Sequence, residues 1–248
     1  LGREGIFTAM AALFVGLGVI LLGLREHPGG AAAVGSRRGM GSAPAAGSVP
    51  LLTTFQIMAR PAFWFLSLGI GLMAGIGTVF VVHVVPFGVE GGMPLQQAST
   101  LMSVYAGSGV FGLMLFGPLA DRLGAATALV IAALSQSLVF WGFLQVNGGV
   151  MYCLAALFGL CSIPMVTLHG AALSELFSAR DVSKAMGYSY SIKLPFLFSL
   201  TPVIGLIHDR TGNYVMAFTA CAVLLLAAAG MFAWLVRAVR RERARAAA

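Results

Sequence analysis

The chain has 248 residues, 59% of them hydrophobic and 9% charged, with a mean hydropathy of +0.93. Soluble domains carry about 25% charged residues, so these values exclude a soluble globular protein and describe a polytopic membrane protein. The net charge of +7 comes from basic residues in loops and the tail, a distribution that speaks for a membrane surface and against nucleic acid.

A hydrocarbon core of about 30 Å takes about 20 helical residues. By that ruler the sequence predicts seven spans: Ile6 to Leu24, Ala62 to Phe87, Ala98 to Phe116, Ala125 to Leu144, Val150 to Leu173, Met186 to Ile207 and Tyr214 to Val236. The stretch Gln145-Val-Asn147-Gly148-Gly149 predicts the turn between the fourth and fifth. Cys153, Cys161 and Cys221 lie inside apolar runs without ligand spacing, so they read as small packing residues rather than as disulfides or a zinc site.

Between the first span and the other six, Arg25 to Pro50 is rich in Gly, Ala, Ser and Pro and predicts a flexible linker, extending to residue 59. Alternating the loops places Arg25, Arg37, Arg38, Arg60, Arg122, Arg180, Lys184, Arg237, Arg240, Arg241, Arg243 and Arg245 on one side, with Arg3 and Arg210 on the other. The positive-inside rule makes the first side cytoplasmic, so the N-terminus is expected outside and the basic tail, 238–248, inside. A secretory signal peptide is the rival reading of residues 1–27, but its apolar run is long for one and no clear cleavage site follows.

Asp121 and Arg122 stand almost alone: no Asp, Glu, Lys or Arg occurs from Gly91 to Ala120 or from Leu123 to Ser174. Charge at mid-depth is costly, so Gly117-Pro-Leu-Ala-Asp121-Arg122-Leu-Gly124 predicts a tight interfacial turn. Its spelling resembles the G-x-L-A-D-R-x-G loop of the major facilitator superfamily. Further stretches carry the resemblance from about Phe55 to Arg237: Arg60-Pro-Ala-Phe63-Trp64, His83-Val-Val-Pro86, Ser174-Glu175-Leu-Phe177, and Gly187 followed by Lys193. The last is Gly205-Leu-Ile-His208-Asp209-Arg210-Thr-Gly212-Asn-Tyr214, similar to the G-x-x-x-D-x-T-G-x-Y connection of monocarboxylate transporters and oxalate/formate-type antiporters. The resemblance implies that residues 60–237 are the six-helix C-terminal half of an all-α transporter fold. Residues 6–24 would be the sixth helix of a twelve-helix protein whose missing N-terminal half is the partner. Two departures stand out: Leu113 occupies the place where many relatives carry an Arg, and Ala125 and Ala126 replace basic residues beyond Gly124.

Lys193 is the sharpest candidate, because an ammonium inside a span marks a substrate or ion pathway unless it snorkels or finds a partner. The resemblance implies that it meets a substrate carboxylate. His83, near Pro86, suits a proton relay or gate, imidazole being the side chain that changes charge near neutral pH, and equally a hydrogen-bonded interfacial role. His169 reads as structural. Tyr105, Ser108, Tyr190 and Ser191 are polar groups for the same cavity, while Gly69, Gly71, Gly75, Gly77, Gly107, Gly109 and Gly112 read as close-packing positions. Pro195 and Pro202 predict a broken, mobile helix beside Lys193. Gly117, Asp121, Arg122 and Gly124 form the expected gating motif, with Asp121 capping the following helix. Gly205, Asp209 and Gly212 form the expected helix connection, where Asp209 and Asn213 read as turn and capping residues.

No nucleophile elbow, phosphate loop or metal spacing appears in the sequence, so neither an enzyme nor a cofactor is expected. The expected function is secondary transport of a small organic anion across the inner or plasma membrane, coupled to protons or a counter-substrate. A seven-helix retinal-type sensor is the alternative from another class, opposed by the lack of an intramembrane carboxylate counter-ion and by a lysine in the sixth span rather than the last. A truncated, inactive fragment is the third reading.

Overall fold

Gly and Pro punctuate the apolar runs, and the helices that form between them are long. A computed structural model describes residues 52–146 and 148–246. The first predicted span, the linker as far as residue 51, Asn147 and residues 247–248 lie outside the described residues.

Among the described residues the chain is all-α, with eight helices. A short helix α1 (Thr54–Met58) opens on a capping box in which Thr53 and Gln56 satisfy each other's backbone N–H. Then follow α2 (Pro61–Glu90), α3 (Leu95–Leu123), α4 (Ala125–Phe143), α5 (Val150–Ser162), α6 (Met165–Leu176), α7 (Val182–Thr211) and α8 (Val215–Ala246). Counting α5 and α6 as one, six of these are long and apolar enough to cross a membrane. In lipid every backbone polar group must be satisfied within the segment, and helices achieve this.

The helix ends depart from the sequence reading in one direction. Gly117 to Leu123, read as a turn, are the last residues of α3, and Pro118 sits inside that helix. The whole turn is Gly124, whose φ of +87° is open to glycine and costly for a residue with a side chain. Gly205 to Thr211, read as a connection, likewise belong to α7, and the chain reverses at Gly212 with φ +69°. At 30 residues each, α2 and α7 are about 45 Å long. They outrun the hydrocarbon core, so their polar ends lie in the headgroup layer and remain helical.

The helix break also falls elsewhere than expected. Helix α7 continues through Pro195 and Pro202, and the Ser199 hydroxyl donates to the Pro195 carbonyl at 2.6 Å. The predicted fifth span is the interrupted one, at Ile163 and Pro164 between α5 and α6. Pro164 has no N–H to give the Leu160 carbonyl. The side-chain amide of Gln136 on α4 donates to the neighbouring Cys161 carbonyl at 3.1 Å, which supplies a donor inside the bundle where the helix is broken.

Packing rests on close approaches and on one aromatic cluster. A Cβ at Gly71 would meet the Phe196 ring, and one at Gly75 would meet the Phe196 backbone and Leu200, so α2 and α7 touch along their backbones. Gly109, Gly112 and Gly159 do the same for α3 against the α5 end. Phe80 stacks on Phe158 with centroids 4.2 Å apart and meets Phe140 edge-on at 6.3 Å, while Phe87 lies 4.6 Å from Phe218. These rings tie α2, α4, α5 and α8 into one core. Cys161 and Cys221 are buried in it, whereas Cys153 is exposed.

Antiparallel succession puts the starts of α2, α4 and α7 at one end of the bundle with the ends of α3, α6 and α8. Hydrogen bonds fix that end: the Arg60 guanidinium donates to the Leu176 carbonyl at 3.0 Å, and the Leu52 N–H to buried Asp181 at 3.0 Å. At the opposite end the His208 imidazole meets the Glu90 carboxylate at 2.6 Å.

Candidate functional site

Helix α7 presents Lys193 eleven residues from its first residue, about 16 Å along the axis by helical rise. The earlier helix start places the residue deeper than its predicted span suggested. Close contact of Phe196 and Leu200 with α2 fixes the rotation of α7. Lys193 is thereby turned inward, with only 7% of its surface exposed.

The ammonium lies 3.8 Å from the centroid of the Tyr190 ring, one turn back on the same helix. A cation over an aromatic face is stabilised by the ring quadrupole, by about 2 kcal/mol or more where water is excluded. Among the described residues no carboxylate pairs with Lys193. The nearest polar system is His169 on α6, buried, with its Nε2 2.8 Å from the Ser189 hydroxyl of α7 and its ring 5.6 Å from that of Tyr190. A buried ammonium held by a ring and next to a satisfied imidazole is a charge without a counter-ion. An anion that reaches it gains the full charge-assisted hydrogen bond.

Tyr190 is partly open, and one turn on from it Leu194 is 46% exposed, followed by Phe198 at 75%. Their spacing makes a single stripe beside Lys193. In its most apolar stretch α7 is 11% buried and α3 22%, against 67% for α2 and α4. These two helices therefore bury few of their residues against the rest of the described bundle. Leu113 lies half-exposed on α3.

The remaining sequence candidates lie apart from Lys193. Tyr105 sits in the aromatic core, 5.2 Å from the Phe80 ring, and the Ser108 hydroxyl donates to the Tyr105 carbonyl at 2.9 Å in the seam between α3 and α5. His83 is buried toward the far end of α2, with Nδ1 3.3 Å from the Tyr214 hydroxyl and Nε2 3.3 Å from the Thr201 carbonyl. Ser191 donates to its own helix at Gly187. His169, read from the sequence as structural, is bonded to Ser189 and lies beside the Tyr190 ring that holds Lys193. The available signal was its character as an ionisable group within a span.

At the α3 turn, Asp121 and Arg122 are exposed in the last helical turn. The cap expected from Asp121 comes instead from Glu175 at the end of α6, whose carboxylate accepts the Ala125 N–H at 2.7 Å. A Cβ at Gly124 would lie in ordinary contact with that carboxylate, 3.5 Å from Oε1, so it is the positive φ rather than crowding that calls for glycine there. The loop and the α6 end are therefore held together by an acid at a helix N-terminus, where the dipole favours it. At the α7 turn, Asn213 accepts the Val215 N–H at 3.0 Å, as a cap does, while Asp209 lies inside the helix, 3.5 Å from the His208 ring.

The chain is 27% identical over 205 residues to Monocarboxylate transporter 12 of Homo sapiens, a match that covers 76% of this chain and 38% of that protein. It is also 27% identical over 176 residues to the Agnestins efflux protein AgnL12 of Paecilomyces divaricatus, covering 69% of this chain and 40% of that one. The chain thus spans about two fifths of the length of these curated relatives. The sequence profile of the Major Facilitator Superfamily matches residues 1–193, more than three quarters of the chain. With this match, and with six apolar spans among the described residues, the chain belongs to the Major Facilitator Superfamily, in the neighbourhood of its monocarboxylate-transporter branch.

Proposed function

We propose that the chain is part of a secondary transporter that moves a small organic anion, monocarboxylate-like, by alternating access, and that Lys193 meets the carboxylate. One observation carries the reading: Lys193 is a buried ammonium whose nearest partner is an aromatic face rather than a carboxylate. Burying an unpaired charge costs several kcal/mol and is kept where it has a task. A substrate anion supplies the missing charge, and its departure returns the ammonium to the Tyr190 ring.

The uncovered faces of α3 and α7 fit a second, N-terminal half that closes the cavity from the other side. Leu113 on that face offers no second cation, which favours a monoanion over a dicarboxylate. The reading places the protein in the inner or plasma membrane with the Arg237 end of α8 in the cytoplasm, and couples transport to protons or to a counter-substrate. Uptake into membrane vesicles from cells expressing the gene tests it, with short monocarboxylic acids compared against their neutral amides. Saturable uptake of an acid, with its amide excluded, is expected; equal uptake of both, or of neither, overturns the reading.

A further inference from the structure

Away from Lys193, the basic end of the bundle holds a cavity of about 570 Å³, within the range of about 300–1,000 Å³ common for small-ligand sites. Arg60, Pro61 and Ala62 at the start of α2 form one wall, Leu176 and Phe177 at the end of α6 the floor, and Trp234 and Ala238 of α8 the other wall. The apolar part is rigid. Trp234 stacks on Phe65 with centroids 4.2 Å apart, and Phe63 meets Phe177 edge-on at 6.1 Å.

The polar part is cationic. Arg60 spends one N–H on the Leu176 carbonyl and rests 5.3 Å above the Phe177 ring, which leaves further guanidinium donors at the cavity mouth. On α8, Arg237 and Arg241 follow Trp234 by three and seven residues, so helical periodicity sets both on the side of Trp234 and Ala238. Both arginines are exposed. The acid next to the floor, Glu175, has its carboxylate directed at Ala125. Trp234 is 39% exposed, and its indole N–H has no hydrogen-bond partner among the described residues.

We propose that this cavity binds the headgroup of an anionic phospholipid. A slot at a helix end lined by Arg60 and an indole, with Arg237 and Arg241 on the same side of α8, matches a ligand with a phosphate at the surface and acyl chains running down the outside of a span. Arg forks donate to phosphate oxygens in pairs, Trp prefers the headgroup level, and basic side chains next to a span attract anionic lipid. A soluble phosphate would satisfy the arginines and leave the apolar wall of Trp234 unused. The site bridges α2, α6 and α8, so the bound headgroup clamps the end of the bundle that also holds the Glu175 contact.

The test reconstitutes the expressed protein in phosphatidylcholine vesicles containing a minor fraction of phosphatidylglycerol, then counts retained lipid by native mass spectrometry. The wild type is expected to keep phosphatidylglycerol in preference to phosphatidylcholine. Retention should fall about fivefold for each cation removed in Arg60→Gln and Arg237→Gln, the weight of one basic residue beside an anionic headgroup layer. Ala238→Trp, which fills the slot and leaves every arginine in place, should abolish the preference, and it covers the case in which Arg60→Gln unfolds the end of α2. Equal retention in Ala238→Trp and wild type, no preference over phosphatidylcholine, or displacement of the lipid by inorganic phosphate would each overturn the proposal.

Discussion

Lys193 and Tyr190 form a pair whose geometry sets what either substitution does. The four-carbon stem of Lys193 is flexible, and the ring one turn away holds the ammonium at a defined depth on α7. Tyr190→Phe keeps the aromatic face and is expected to leave the KM for the transported anion within about twofold of wild type. Tyr190→Leu removes it. Losing a cation–π contact of about 2 kcal/mol in this water-excluded setting should then raise KM by about thirtyfold, with the amount of folded protein unchanged. An unchanged KM in Tyr190→Leu would show that the ring does not position the ammonium. His169 stands next to the pair, its ring 5.6 Å from that of Tyr190 and its Nε2 bonded to Ser189.

Among the elements, the seam between α3 and the α5 end depends on glycine, and the structure separates two glycines five residues apart. A Cβ at Gly112 would strike the backbone of Leu160, which cannot give way, whereas a Cβ at Gly107 meets nothing within 4 Å. Gly112→Ala is expected to lower thermal stability in detergent by about 1–3 kcal/mol, the usual cost of overpacking. Gly107→Ala should be neutral or stabilise by up to about 1 kcal/mol through helix propensity. Similar losses in both variants would mean that the seam is looser than described. The six apolar spans were legible because an uncharged run of sufficient length has few other fates in a protein with so few charges. Their ends were not, because Gly117 to Leu123 and Gly205 to Thr211 carry the Gly, Asp and Arg of a loop while standing in the headgroup layer as helix. Proline was ambiguous for a related reason: Pro195 and Pro202 continue α7, and Pro164 breaks a helix where Gln136 offers a substitute donor. Such compensation comes from another helix and leaves no trace in local sequence. The same holds for the site. Lys193 was readable as a lone cation in a span, but the bond of His169 to Ser189 and its approach to Tyr190 cross between helices, and Tyr105 and Ser108 sit in a different seam.

For the whole molecule, the described residues form a half with two kinds of surface. Helices α2 and α4 are mostly buried, while α3 and α7 expose apolar stripes that include Phe111, Met114 and Phe198. Stripes of this size need a cover, lipid or protein, and Lys193 lies beside one of them. The relatives are more than twice as long as the stretch matched here, in keeping with a second half over that face. Chemical rescue of the charge at residue 193 decides whether the ammonium there is needed for transport. Lys193→Cys, made with Cys153 replaced by alanine so that the exposed native thiol does not react, is assayed for anion uptake in vesicles before and after the new thiol is modified. Uptake should be lost in Lys193→Cys, return when the thiol is converted to an ethylammonium thioether or disulfide, and stay lost with a neutral reagent of the same size. Wild-type uptake in unmodified Lys193→Cys, or equal recovery with the neutral reagent, would contradict a need for the ammonium.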